Sequence, residues 1–222
     1  MDVTKHLEFF NPLSIEDTVH ILGVGAIGST IAEMVARLGI KNISIYDLDT
    51  VDKHNIANQV YFDDQIDTEK VTSIKDTILR INPEADVSIF NKGWHKGVKL
   101  NGYIFICIDN IDIRRQMVEE NMYNPNIKAM FDLRMGLQEA QHFAADWSVS
   151  KDKEALLGNM DFSHDEAKEA SPVSACGTTL AIIPTIRVIC SYAISNFINF
   201  IKSHKLKKII LINAFNYSVV TI

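Results

Sequence analysis

Three ionisable residues stand where they could handle a phosphorylated ligand. Asp47 closes the apolar run Ile43 to Tyr46, Lys70 opens an amphipathic stretch, and Asp109 follows the apolar run Tyr103 to Ile108. An acid at the carboxyl end of a buried parallel strand points into the crevice where open α/β sheets bind ligands. A lysine in the first turn of a helix opposes the helix dipole, so it makes more sense facing an anion. The plainer alternatives are a helix cap at Asp109 and a solvated lysine at position 70. Cys176 is a fourth candidate. A helix starting just beyond it would lower its pKa and favour the thiolate, or it is an unreactive cysteine at a helix start.

These residues need a frame, and residues 19 to 55 supply its centre. Val19 to Leu22 is a short apolar run, followed by Gly23-x-Gly25-x-x-Gly28. Ile27, Ile31, Met34, Val35 and Leu38 then recur at helical spacing, with Gly39 where a left-handed cap would fall. The pattern predicts strand, glycine turn, helix, strand, acid. Gly23 permits the tight turn, Gly25 lets backbone approach phosphates, and Gly28 lets the helix pack on the strand. The helix start offers unpaired N–H groups to an anion, and Asp47 is placed for ribose hydroxyls. A mononucleotide or dinucleotide is the ligand this implies.

Residues 1–18 are expected to form an N-terminal arm, with Phe9 and Phe10 as anchors. Residues 51–66 read as a loop with short helical turns. Asp67 or Thr68 caps the next helix, whose apolar stripe is Val71, Ile74, Ile78 and Ile81. Strands follow at Ala85 to Phe90 and Tyr103 to Ile108, a helix at Ile111 to Tyr123, and strands at Ala129 to Asp132 and Gln141 to Trp147. On this helix the plainer alternative for Arg114 is a surface ion pair with Glu119 or Glu120. The order reads β-α-β-α-β-α-β, hence a mainly parallel sheet. Residues 148–175 are polar and acidic, too long for an ordinary connection, and predict a mobile crossover segment. Thr178 to Ile201 predicts a long apolar helix, interrupted by Pro184 and Arg187. Lys208 to Asn213 and Tyr217 to Ile222 predict a terminal hairpin.

The chain has 222 residues, 47% hydrophobic, which suits one globular domain over residues 1–222. The formal charge of −6 and the absence of a long basic run argue against a nucleic-acid partner. Arg187 inside the longest apolar stretch argues against a membrane span. Three separated cysteines and no apolar core of signal length point to a reducing compartment, hence the cytoplasm. No Cys-x-x-Cys occurs, so no zinc site is expected.

Beyond Asp47 the chain runs Asp47-Leu-Asp49-Thr-Val, then Asn55-Ile-Ala-Asn58-Gln59, then Lys70 at a helix start, then a strand ending in Asp109-Asn110. This series resembles the ThiF/MoeB family, the bacterial relatives of ubiquitin-activating enzymes, over most of residues 19 to 134 and again near Cys176. The chain resembles a short, zinc-free variant. The resemblance implies a Rossmann-like α/β fold, a mainly parallel sheet flanked by helices with a C-terminal antiparallel hairpin. It implies ATP on Gly23, Gly25 and Gly28, with Asp47 and Asp49 beside the ribose and Asn55, Asn58, Gln59 and Lys70 at the phosphates. It places Mg²⁺ on Asp109. It implies adenylation of a carboxylate, most often the C-terminal glycine of a ubiquitin-like or sulfur-carrier protein or a peptide. In some relatives the cysteine matching Cys176 forms a covalent link with that carrier. A homodimer is usual, with an arm arginine crossing between subunits. The family carries an arginine at position 58, and no arginine precedes Arg37 here; Lys5, Arg114 or Arg134 are the candidates to compensate.

Two other functions stay open at this stage. One is a catalytically weak relative that serves as a nucleotide-binding scaffold, motivated by Asn58. The other is an NAD-dependent oxidoreductase on the same glycine turn, which would have no use for Lys70 and Asp109.

Overall fold

The computed structural model describes residues 1–169, 172–173 and 180–222. Its centre is a sheet of eight strands in the order β3-β2-β1-β4-β5-β6-β7-β8. The parallel part comprises β1 (Val19–Leu22), β2 (Asn42–Asp47), β3 (Asp86–Asn91), β4 (Gly102–Ile106) and β5 (Ile127–Met135). The antiparallel part comprises β6 (Glu139–Asp146), β7 (Ile209–Asn213) and β8 (Ser218–Thr221). This is the Rossmann-like mixed sheet with a terminal hairpin that the sequence predicts. The chain runs outward from β1 through β2 to β3, then returns to β4 on the other side of β1. The switch point between β1 and β4 is where such sheets bind ligands.

Helices cover both faces. On one lie α2 (Ala26–Leu38), α3 (Lys70–Ile81) and α7 (Ile183–Ser203); on the other lie α4 (Ile111–Asn121), α5 (Ser150–Gly158) and α6 (His164–Glu169). α2 buries Ile27, Ile31 and Val35 against β1 and its neighbours, and each such side chain contributes about 1.5–3 kcal/mol. Gly39, at φ +85°, ends α2: its N–H bonds Ala36 O and the N–H of Ile40 bonds Val35 O. A second apolar cluster, with Leu22, Ile104, Ile106, Met117, Met130 and Trp147, fills the opposite face.

Several expectations are corrected. The order through Asp146 is β-α-β-α-β-β-α-β-β, because no helix joins β3 to β4. Ten residues, 92–101, must span the sheet's height; as a helix they would rise only about 15 Å and leave nothing for the turns. They form an irregular connection with a turn at Lys96 and Gly97 instead, with Trp94 and Leu100 buried in the second cluster. The 148–175 stretch contains α5 and α6 rather than bare loop. α5 was hidden because only Asp152 and Leu156 are buried along it. Pro184 does not interrupt α7 but opens it, where its missing N–H costs nothing. The cap of α3 is Glu69, not Asp67 or Thr68. Residues 67–70 are pinned instead by backbone bonds to 49–51, among them Lys70 N–H to Asp49 O at 3.0 Å.

The arm packs on its own chain. α1 (Thr4–Leu7) lies by the C-terminal end of α2, where His6 Nε2 is 3.2 Å from Leu38 O. Phe10 is buried, and Lys202 Nζ lies 3.3 Å from the Phe9 ring centroid. That end is about 20 Å, the length of a 13-residue helix, from the glycine turn.

Candidate nucleotide-binding site

The glycine turn joins β1 to α2 at the carboxyl end of the sheet. Gly23 has φ +86°, and a Cβ there would lie 2.9 Å from Cys107 O and 3.1 Å from Ile108 N. A Cβ on Gly28 would lie 1.8 Å from Gly23 O. Both glycines are therefore demanded by packing between the turn, α2 and the end of β4. Gly25 differs: a Cβ there meets nothing within 4 Å. It is the N-cap of α2 and brings no side chain to the helix start, so that end stays open to an anion.

Asp47, the last residue of β2, is buried and does structural work. Its Oδ2 accepts from Val24 N–H at 2.7 Å and its Oδ1 from Asp49 N–H at 2.9 Å. Burial pushes its carboxyl above the usual range, although those two amides and Lys70 pull the other way. The hydroxyl of Tyr61 donates to Val24 O at 2.6 Å, so Val24, the residue before Gly25, is held at both its N–H and its carbonyl. Burial, with Asp47 and Asp49 nearby, raises the Tyr61 pKa and keeps it a donor. Tyr61 was not legible as a site residue, since an aromatic in a polar loop gives no sign of what its hydroxyl reaches.

Lys70 opens α3 with its side chain buried, and its ammonium lies 2.8 Å from Asp49 Oδ2. The anion opposite Lys70 in this structure is the carboxylate of Asp49. Asn55 is buried, and its Oδ1 accepts from Asp52 N–H at 2.9 Å, which closes a short helical turn. Asn58 Oδ1 and Gln59 Oε1 are buried with no hydrogen-bond partner. Val60 N–H donates to Ser29 Oγ at 3.1 Å, which holds this stretch against the first turn of α2. Two unpaired side-chain carbonyl oxygens beside an open helix start call for donors, which the hydroxyl or amino groups of a ligand would supply.

Asp109 lies three residues past β4, exposed, and forms no hydrogen bond or ion pair with a described residue. The cap of α4 is Asn110, whose side chain accepts from Asp112 N–H at 2.9 Å and Ile113 N–H at 3.1 Å. The capping alternative for Asp109 is thereby removed. A carboxylate with no partner among the described residues is the kind of ligand Mg²⁺ takes, since that ion keeps waters and draws its remaining oxygens from phosphates. Among the described residues no group of three or more His, Cys, Asp or Glu is placed to hold a metal alone. Cys176 lies outside the described residues. Cys107 packs under Gly28, and burial pushes its thiol up to about 12.

The compensating cations are elsewhere. Lys5 is on the arm, at the far end of α2. Arg114 is not a surface residue: it is buried and paired with Asp132, itself fully buried on β5. Arg134 shares that carboxylate, Nε to Oδ2 at 2.7 Å, and donates from Nη1 to Asn159 O. A buried acid inside Met130-Phe131-Asp132-Leu133 was the overlooked signal, because such a charge requires partners.

Residues 15–221 match the ThiF family. The chain belongs to the ThiF family. A similar family relative is ubiquitin-like modifier-activating enzyme 5 of Caenorhabditis elegans, 30% identical over 115 residues, covering 45% of this chain and 27% of the relative. Another is molybdopterin-synthase adenylyltransferase of Escherichia coli K12, 25% identical over 122 residues, 52% of this chain and 49% of that protein. Among solved structures, E. coli MccB with ATP superposes with a TM-score of 0.69 at 19% identity over 95% of this chain and 65% of that one. PaaA gives 0.69 at 18% identity, over 96% and 65%. These structures share the fold. The chain spans 27% of the length of the first curated relative and 65% of the crystallised chains. No described helix of this family member is long and apolar enough to cross a membrane.

Proposed function

We propose that this ThiF family protein binds ATP with Mg²⁺ and transfers the adenylyl group to a carboxylate. A carboxylate oxygen attacks the α-phosphorus, the bond from that phosphorus to the bridging oxygen breaks, and pyrophosphate leaves. The observation that carries the reading is that Asp109, without a partner among the described residues, and the open start of α2 both stand at the switch point. Gly25 and the first amides of α2 would take phosphate oxygens, and Asp47 the ribose. Lys70, Asn55, Asn58 and Gln59 would contact the phosphates, and Asp109 would hold Mg²⁺. The metal, when bound, neutralises charge on the departing oxygens. The residues do the rest by positioning and charge neutralisation, which is most of what adenylyl transfer requires. The carboxylate would be the C-terminal glycine of a ubiquitin-like or sulfur-carrier protein, or a peptide end. The acyl group would pass to Cys176 or directly to an acceptor. The setting would be a cytoplasmic homodimer.

The test is pyrophosphate exchange in wild type and Asp109→Ala, with thermal unfolding in Mg-ATP and in NAD⁺. Exchange and stabilisation by Mg-ATP, both lost in Asp109→Ala, are expected; at a hundred times Kd the ligand adds about 2.7 kcal/mol. Stabilisation by NAD⁺ alone would overturn the reading. A second reading, a nucleotide-binding scaffold, is favoured by the neutral amide of Asn58 where the resemblance implies a guanidinium. Mg-ATP binding without exchange, whatever carboxylate is supplied, would select it.

A further inference from the structure

The residue that sets the position of Asp109 does not touch the crevice. Arg114 is on the second turn of α4, 5% exposed, and its guanidinium forks between three groups. Nε donates to Ile108 O, the carbonyl immediately before Asp109. Nη1 donates to Leu133 O at 2.8 Å and to Asp132 Oδ1. Asp132 is fully buried, opposite Ile106 in the β4–β5 register, and its other oxygen is held by Arg134. One planar cation thus ties the segment leaving β4 to the body of β5.

That segment has few other anchors. Cys107 N–H bonds Leu22 O at 2.8 Å, and Asn110 caps α4. Between them Ile108 and Asp109 must leave the strand, pass the glycine turn within contact distance of Gly23, and enter the helix. Among the described residues the Asp109 side chain has no partner to orient it. Its carboxylate is therefore placed by its backbone, and its backbone is placed through Ile108 O by Arg114.

We infer that Arg114 is a positioning residue for the cation ligand Asp109, with Asp132 holding the guanidinium in register. The inference rests on the ATP and Mg²⁺ reading above. A lysine cannot reproduce it, because one ammonium cannot fork to two carbonyls and a carboxylate in a plane. Residues that orient a metal ligand from behind commonly change metal affinity by about tenfold or more.

The test separates metal-linked from metal-free binding. ATP affinity is measured by calorimetry with EDTA and with saturating Mg²⁺, and the ratio of the two is the readout. Asp109→Ala should abolish the Mg²⁺ enhancement. Arg114→Gln should reduce it about tenfold while metal-free affinity changes less than about twofold. Arg114→Lys should fall between, and it carries the same test if the glutamine variant does not fold. An unchanged ratio in a folded variant overturns the inference, as does an equal fall in both affinities, which general loosening would give. Wild type that binds no ATP overturns the nucleotide reading itself. Wild type that binds, beside an Arg114 variant with the wild-type ratio, overturns only the role of Arg114.

Discussion

Gly25 and Gly28 belong to one motif but are glycines for opposite reasons, and two alanine variants separate them. In Gly28→Ala the new methyl would sit 1.8 Å from Gly23 O, with Cys107 Cβ at 3.1 Å. Close C···O contacts run at about 3.3 Å, so turn and helix must part by about 1.5 Å. Both contacts are backbone or well packed, so there is no flexible side chain to give way. Overpacking of this kind costs about 3 kcal/mol, which for a chain of this size lowers Tm by about 6–12 °C. In Gly25→Ala the methyl meets nothing, and φ is −70°, so the unliganded protein should keep its wild-type Tm within about 2 °C. That methyl instead fills the space a phosphate would occupy. The assay is thermal unfolding of each variant with and without Mg-ATP. Gly28→Ala should melt early; Gly25→Ala should melt normally and gain nothing from the nucleotide. A Gly25→Ala protein stabilised by Mg-ATP as wild type is would refute the phosphate cradle. A Gly28→Ala protein with wild-type Tm would refute the packing argument.

Tyr61→Phe removes the only donor to Val24 O among the described residues and leaves a buried carbonyl short of a bond, so it should cost about 1–3 kcal/mol in urea unfolding and weaken Mg-ATP binding as the turn loosens. Lys5→Ala should leave Mg-ATP affinity unchanged by calorimetry, because the arm lies at the far end of α2; a marked loss would show that the arm reaches a site in another subunit. His142 is fully buried between Asp132 O and Asn196, and burial lowers its pKa to about 4. Its neutral form contributes stability that is complete above the unfolded value near 6.5 and is lost as pH falls towards 4. Chemical unfolding at pH 7 and pH 5 should differ by about 2 kcal/mol more in wild type than in His142→Gln, and parallel curves would remove His142 as the cause. Asp47 opposes this trend weakly, since its raised pKa favours the protonated form as pH falls.

The sequence disclosed the β1–α2–β2 unit fully, because there the hydrophobic period changes from 2 to 3.6 across glycines and ends on an acid. It disclosed where Lys70 stands for the same reason, since it opens an element with a clear period, whereas Asp109, read as directly following a strand, lies three residues past β4. The link from β3 to β4 was misjudged, since Trp94 and Leu100 reach the core from an irregular connection with no period at all. α5 was invisible because two buried residues do not make a stripe. The partners of Arg114 were unreadable because Asp132 is eighteen residues away and their meeting depends on the β4–β5 register. Asn55 was expected at phosphates, yet its side-chain oxygen closes a local turn, a competition between short-range and ligand bonding that sequence cannot arbitrate.

The contact between Lys70 and Asp49 bears on departure as much as arrival. An anion reaching this lysine displaces a tethered carboxylate that never leaves the neighbourhood and is always ready to return. A highly charged polyphosphate wins that exchange easily, whereas a monophosphate competes on nearly equal terms. On the proposed reading Asp49 would act as an internal eluent, setting residence time on the lysine by the charge of the occupant, and a chain with alanine at that position would be expected to hold a spent nucleotide longer.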